Sequence, residues 1–269
     1  MDKDHQTDEE IYKKNTAKFK LFNYKIFVVI LGLAIIYQAY ITTYNDTSSL
    51  DFPEFSYVIS AAICGIIAIA VGIKYNFHET FRTSYIALGI YFFLLVLGEI
   101  IYIIYYHVLE IDAYPSMADV FYLTASLFAF IHLIININYF KNKISNKIKV
   151  FLSVTGFIIF LTYATFSFNQ IGDINLEYFI GLLYAITYSI LFPLAILGII
   201  VSRKTQLAST WLLLVVGIFL LGLGQIWWIF LEFFEGFSYN HPVNTLWLLG
   251  FMIMTFALIE HLRIFSKKK

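Results

Sequence analysis

The sequence is poor in cysteine and in charged residues, and each shortage argues against a class of protein. Its single cysteine, Cys64, excludes a disulfide bond within the chain and disfavours a cysteine-based metal site. The net charge is zero, which gives no reason to expect nucleic acid as a partner. Charged residues make up 13% of the chain, roughly half of the share found in soluble domains. A soluble fold is therefore disfavoured, and we expect neither a cofactor nor a metal ion.

Long apolar blocks dominate the rest of the sequence. Hydrophobic residues occupy 60% of the 269 positions and fall in runs rather than at amphipathic spacing. About 20 apolar residues in a helix cross the roughly 30 Å hydrocarbon core of a bilayer. We therefore predict an all-α, polytopic membrane protein with eight transmembrane helices. Their predicted ranges are 22–43, 54–74, 83–106, 117–140, 147–168, 176–201, 208–233 and 243–265.

The distribution of basic residues predicts the topology. No small-residue cleavage site follows the first apolar run, so we expect a retained span and not a signal peptide. All 18 Lys and Arg residues lie in or beside the N-terminal tail, the second, fourth and sixth connections, and the C-terminus. The four remaining connections carry only acidic charge. By the positive-inside rule, we expect both termini in the cytoplasm and the protein in the cell membrane.

The two halves of the chain resemble each other. The third predicted helix, "SYIALGIYFFLLVLGEIIYI", aligns without gaps on the seventh, "TWLLLVVGIFLLGLGQIWWI", and Gly98 matches Gly224 (224 − 98 = 126). Upstream, Glu54 falls on Glu177. Two copies of four spans share one orientation and are related by an axis along the membrane normal. Chance similarity between apolar helices is the alternative. The predicted domains are a cytoplasmic tail (1–20), a first four-helix repeat (21–140), a basic cytoplasmic linker (141–147), a second repeat (148–265) and a basic tail (266–269).

The stretch "YPSMADVFYL" marks the start of the fourth helix. Pro115 suits a helix entry because it has no backbone N–H to leave unbonded. Ser116 and Asp119 have the spacing of a capping box, in which the serine caps the helix and the acid bonds back to the serine N–H. Helix capping alone is one interpretation of Asp119.

A polar pocket in the outer half of the bundle is the other interpretation. Glu99 lies about two turns below the outer end of the third helix, at a similar depth to Asp119. Gln225 takes the depth of Glu99 in the second half, and Glu232 lies at the outer end of the seventh helix. Ionisable groups inside a membrane are costly and usually mark function. Two carboxyl groups sharing a low-dielectric site resist double ionisation, so we expect a shared proton or cation if they meet. A protonated carboxyl group hydrogen-bonded to a neighbouring helix is the structural alternative for Glu99.

A second, inner polar level is predicted from His132 and Glu260, which fall at equivalent positions in the fourth and eighth helices. The structural alternative is interfacial for Glu260 and His261, since Glu260 can pair with Arg263 three residues on. For His132 the alternative is a hydrogen bond between helices.

The stretch from Pro115 to Leu123 resembles the P-S-x-A-D-x-F-Y-L motif of prokaryotic signalling proteins. In that family, seven or eight spans precede a cytoplasmic diguanylate cyclase, phosphodiesterase or histidine kinase module. The resemblance implies a membrane sensor region, and its matching residues are Pro115, Ser116, Ala118, Asp119, Phe121, Tyr122 and Leu123. This chain has no such module, so any signal is expected to pass to a separate cytoplasmic signalling protein.

Three functional classes remain in competition. A stand-alone sensor or accessory membrane module is favoured by the motif and the short connections. A small-solute or cation transporter or channel is the alternative. Against it, Pro193 breaks the sixth helix without a matching proline in the second. An intramembrane lipid-modifying enzyme ranks third, because no H-E-x-x-H or G-x-S-x-G pattern is present. We expect no catalytic residues.

Overall fold

The part of the chain that the structure describes folds into eight long helices. The computed structural model describes residues 24–43, 52–75, 79–140, 144–171, 174–202, 208–234 and 240–266. The helices in chain order are α1 (Tyr24–Thr43), α2 (Phe52–Lys74), α3 (Glu79–Ile103), α4 (Met117–Phe140), α5 (Asn146–Ile171), α6 (Leu176–Ser202), α7 (Ala208–Phe234) and α8 (Pro242–Ser266). All eight are long and apolar enough to cross a membrane. The prediction of an all-helical, multi-pass membrane protein is therefore confirmed.

Six of the helices form a closed ring. Going round it, α2 packs against α3, α3 against α4, α4 against α6, α6 against α7, α7 against α8, and α8 against α2. The other two helices are peripheral: α1 packs on α8, and α5 packs on α6. Only 17% of the α5 span is buried, against 56% of the α7 span, so most of the apolar side chains of α5 face outward, as lipid contact requires.

Side-chain contacts define the two ends of the ring. Tyr57 near the start of α2 bonds to Asn244 near the start of α8. Tyr184 in the first half of α6 bonds to Asp119 in the first turn of α4. The even-numbered helices therefore begin at one end, where the connections carry acidic charge and no Lys or Arg. We call this the acidic end and the opposite one the basic end.

The sixth helix is continuous through Pro193, contrary to the expectation that this proline breaks it. A proline has no N–H for the carbonyl four residues back, which here is that of Ser189. Gly156 of α5 packs directly against that carbonyl oxygen, where a Cβ atom would clash with it. The missing side chain thus lets α5 cover the backbone group that Pro193 leaves without a helical partner.

Candidate functional site

A cavity lies inside the ring at the acidic end. Its volume is about 100 Å³, and all six ring helices line it, whereas α1 and α5 contribute no lining residue. Glu99 of α3, Asp119 of α4 and Gln225 of α7 all line this cavity. Three of the four residues predicted for the outer pocket are therefore brought together. The fourth, Glu232, lies in α7, but its side chain falls outside the described residues.

The capping box at the start of α4 has the predicted hydrogen bonds. Ser116 Oγ accepts from the backbone N–H of Ala118 at 3.1 Å. Asp119 Oδ2 accepts from the backbone N–H of Ser116 at 2.7 Å. Pro115 stands just outside the helix, which begins at Met117. These bonds satisfy N–H groups that the first turn of a helix leaves without partners.

The second carboxyl oxygen of Asp119 joins the two halves of the ring. Tyr184 donates its hydroxyl to Asp119 Oδ1 at 2.7 Å. Both side chains are buried, with 1% and 3% of their surfaces exposed. Asp119 is thus a helix cap, a partner of α6 and part of the cavity wall at once. The sequence gives no signal for Tyr184, because one tyrosine among 20 is not distinctive.

Glu99 meets an aromatic side chain of the neighbouring helix. Its carboxyl group lies beside the side chain of Tyr122 of α4. The adjacent Gly98 makes this contact geometrically feasible, since a Cβ atom there would lie 2.6 Å from a ring carbon of Tyr122. On the other side of the ring, Gly224 leaves the same kind of space for Trp247. Both aromatic side chains line the cavity, so the two glycines make room for its walls.

A hydrogen bond between an acid and a histidine, which the sequence did not predict, also borders the cavity. Glu54 is only 2% exposed, and its Oε2 lies 2.8 Å from His107 Nε2. His107 belongs to a π-helical turn (Ile104–Val108) that continues α3. The predicted helix began at Glu54 itself, whereas α2 begins at Phe52. Pro53 in the first turn was the available signal for the earlier start.

Glu54 and Glu177, which the repeat aligns, have different surroundings. Glu54 is buried and lines the cavity. Glu177 is half-buried in the first turn of α6, and its backbone carbonyl accepts a hydrogen bond from the Tyr114 hydroxyl at 3.4 Å. The two acids therefore do not serve the same purpose.

The inner polar level is built around two histidines. His132 Nδ1 lies 2.9 Å from Ser84 Oγ of α3, which is the hydrogen bond between helices that was the structural alternative for this residue. His261 of α8 is buried at 1% exposure, not interfacial, and its Nε2 lies 3.0 Å from the Tyr85 hydroxyl. The Tyr85 ring also contacts the His132 ring, with centroids 5.4 Å apart.

Glu260 takes a different place from the one predicted for the inner level. It pairs with Arg263 at 2.5 Å, with 32% of the Glu260 side chain and 58% of the Arg263 side chain exposed. This is the interfacial alternative. The reason is helical rotation: adjacent residues on a helix point about 100° apart, so burying His261 turns Glu260 outward.

Apolar side chains separate the two polar levels. Leu88 and Phe92 of α3, both fully buried, lie along the helix between Ser84 and Glu99. The histidines and the cavity acids therefore do not share one site. Within the described ranges, no three His, Cys, Asp or Glu side chains converge in a way that would hold a metal ion.

Comparison with protein families, with curated proteins and with solved structures gives no match to this chain.

Proposed function

We propose that this protein is a stand-alone sensor or accessory module of the cell membrane that binds a small solute in the cavity at its acidic end. The observation that carries the proposal is the meeting of Glu99, Asp119 and Gln225 at one cavity lined by six helices. Concave sites with a few polar groups among apolar walls are typical ligand sites. The resemblance of "YPSMADVFYL" to the motif of membrane sensor regions supports the signalling role.

Contacts between helices offer a route from the cavity to the rest of the molecule. Tyr122, which meets Glu99, lies on α4 one turn from Asp119. Asp119 in turn holds α6 through Tyr184. A solute that shifts Glu99 would therefore act on the contact between α4 and α6. In a sensor, a separate cytoplasmic signalling protein would respond to the resulting movement of α4 relative to α6.

The experiment uses Gly222, which lines the cavity on α7. A Cβ atom there would meet Tyr188 at 3.4 Å, an ordinary contact, so Gly222→Ala should keep the fold. Gly222→Leu should fill the cavity. Small cationic, neutral and anionic solutes would be screened by tryptophan emission and melting temperature, since Trp228 and Trp247 line the cavity. We expect binding in the native protein and in Gly222→Ala but not in Gly222→Leu. Binding by none of the solutes, or equal binding by Gly222→Leu, would contradict the proposal.

We further propose that the ring arose from a duplicated four-helix unit. The order of helix contacts supports it, because exchanging α2, α3 and α4 with α6, α7 and α8 leaves that order unchanged. Tyr57 bonding to Asn244 and Tyr184 bonding to Asp119 are matching contacts across the exchange. The peripheral helices depart from it, since α1 packs on α8 but α5 on α6. An experimental structure in which Gly98 and Gly224 are not related by a two-fold axis would refute the duplication.

The proposed orientation has both termini in the cytoplasm. It is supported by the concentration of Lys and Arg at the basic end. Reporter fusions at positions 45–50, 110 and 238 should read as external, and a C-terminal fusion as cytoplasmic. An external C-terminus would overturn the orientation.

A transporter is the second candidate, and the position of the cavity favours it. Transporters built from repeats bind their substrate between the repeats, and residues of both halves line this cavity. Reconstituted vesicles distinguish the two functions. A sensor binds the solute without moving it, whereas a transporter gives solute uptake that Gly222→Leu abolishes and Gly222→Ala retains.

A further inference from the structure

We infer that the solute bound in the cavity is a small organic cation, a protonated or methylated amine, held by Glu99 and by aromatic side chains. This inference rests on the proposed function, since it assumes that the cavity is a ligand site. It adds the chemical class of the ligand. Three independent properties of the cavity lead to it: the sign of its charged groups, the position of Glu99 along its helix, and the residues that form its walls.

The charged groups of the cavity have one sign. Glu54, Glu99 and Asp119 all line it, and none of the described residues that line it is Lys or Arg. His107, a basic side chain near the cavity, is bonded to Glu54. An anionic ligand would therefore meet only repulsion from these carboxyl groups. A cationic ligand gains attraction that is strengthened because the site is screened from water.

Glu99 differs from the other two acids in its position along a helix. Glu54 and Asp119 lie in the first turns of α2 and α4, where the helix dipole stabilises negative charge. Glu54 also bonds to His107 of its own half, and Asp119 bonds to Tyr184 across the ring. Glu99 lies near the C-terminal end of α3, where the dipole gives no such help. The side chain beside it, Tyr122, is neutral. A negative charge on Glu99 is thus the one that the fold itself compensates least, and a bound cation would stabilise it.

The walls of the cavity are aromatic. Lining residues include Tyr57, Tyr91, Tyr122, Tyr188, Trp228 and Trp247. The face of an aromatic ring carries partial negative charge, and Trp attracts cations more strongly than Tyr or Phe. Such walls around a carboxyl group are the usual means of recognising ammonium groups. Two of these rings are held in fixed positions by their neighbours: Tyr57 packs edge-to-face on Trp247 with centroids 5.4 Å apart.

The volume limits the ligand to a small molecule. A cavity of about 100 Å³ is several times the roughly 10–15 Å³ that one water molecule requires. It accommodates a methylated ammonium group with a short substituent. Bulkier organic cations would not fit without movement of the helices.

The test is calorimetric titration of the purified full-length protein with choline. The comparison ligand is dimethylbutanol, the uncharged carbon isostere of choline, which has the same shape. We expect choline to bind at least about tenfold more tightly than dimethylbutanol, because only choline gains from the carboxyl group and the ring faces. Glu99→Gln keeps the shape of the side chain and removes its charge, so it should abolish most of this preference.

Glu177→Gln is the matched control. It removes one carboxyl group from the same end of the ring, at a half-buried residue that does not line the cavity. We expect it to leave choline affinity unchanged, and melting curves of both variants would establish that each is folded. Equal loss in Glu177→Gln would show that choline responds to general charge, which would overturn the inference.

The outcomes separate this inference from the proposed function. If dimethylbutanol or another neutral solute binds as tightly as choline, and Gly222→Leu abolishes that binding, the cavity is a ligand site but not a cation site. If choline and all other solutes fail to bind, both the inference and the proposed function are wrong. Choline binding that survives Glu99→Gln unchanged refutes the assignment of Glu99 alone.

Discussion

The hydrogen bond from Tyr184 to Asp119 allows a quantitative test of how the ring is held together. The hydroxyl and Oδ1 are 2.7 Å apart, and both side chains are buried. Tyr184→Phe keeps the ring of the side chain and leaves the carboxyl oxygen without its donor. A hydrogen bond contributes about 0.5–1.5 kcal/mol net, while an unsatisfied buried group costs about 1–3 kcal/mol. We therefore expect the free energy of unfolding to fall by about 1–3 kcal/mol.

A double-mutant cycle isolates this bond from the capping role of Asp119. Asp119→Ala alone should cost more than Tyr184→Phe, because it also removes a helix cap worth about 1 kcal/mol. In the Asp119→Ala background, Tyr184→Phe should cost little, since the acceptor is already gone. The coupling between the two substitutions should then be about 1–2 kcal/mol. Reversible unfolding in mixed micelles of a mild and a denaturing detergent, followed by helical circular dichroism, measures each corner of the cycle.

Tyr188→Phe provides the control for this cycle. Tyr188 lies one turn further along α6, is also buried, and its ring stacks on that of Tyr184. Its substitution should be additive with Asp119→Ala to within about 0.5 kcal/mol. If Tyr184→Phe is equally additive, the hydrogen bond contributes nothing measurable, and Asp119 does not join α4 to α6 energetically.

Three further predictions follow from contacts at the cavity. Gly98→Ala should lower the melting temperature and weaken solute binding, because its Cβ would lie 2.6 Å from the Tyr122 ring, whereas Gly32→Ala, with nothing within 4 Å, should do neither. His107→Ala should destabilise the fold by about 1–3 kcal/mol in detergent unfolding, because it removes the 2.8 Å hydrogen bond to buried Glu54; an unchanged unfolding curve would show that this hydrogen bond contributes nothing measurable. Glu99→Gln and Asp119→Asn should each change how the melting temperature depends on cation concentration if the two carboxyl groups share a site, and the change in the double variant should differ from the sum of the two single changes. If Asp119 is only a helix cap, the changes should add.

The sequence predicted the helices well because membrane spans are defined by length and apolarity. The predicted range of the fourth helix, 117–140, agrees with α4, and the other boundaries agree to within a few residues. The capping box was predictable because it is local: Ser116 and Asp119 need only each other and the first turn of the helix. Glu99 and Gln225 could be placed at one depth because the rise along a helix is fixed.

What the sequence could not give is the rotation of each helix about its axis. In a soluble helix, apolar residues mark the buried face, but lipid-facing and core-facing positions of a span are equally apolar. For the same reason, the sequence did not indicate that His261 rather than Glu260 faces the interior, or that Tyr184 bonds to Asp119. The hydrogen bond between Glu54 and His107 required, in addition, the π-helical turn at the end of α3.

The docking of α1 on α8 has a consequence for the order in which the protein assembles. Gln38 of α1 donates a hydrogen bond to the carbonyl of Asn240, 202 residues away, and accepts one from Thr245. During synthesis, α1 therefore enters the membrane long before its partner exists. Until then its contacts are with α2, where the Tyr37 hydroxyl lies 3.3 Å from Ser56 Oγ, and its apolar side chains, exposed on most sides, suit contact with lipid. Closure of the ring between α2 and α8 also waits for α8. Until α8 is inserted, the earlier helices form an open arc, and the cavity has no complete wall.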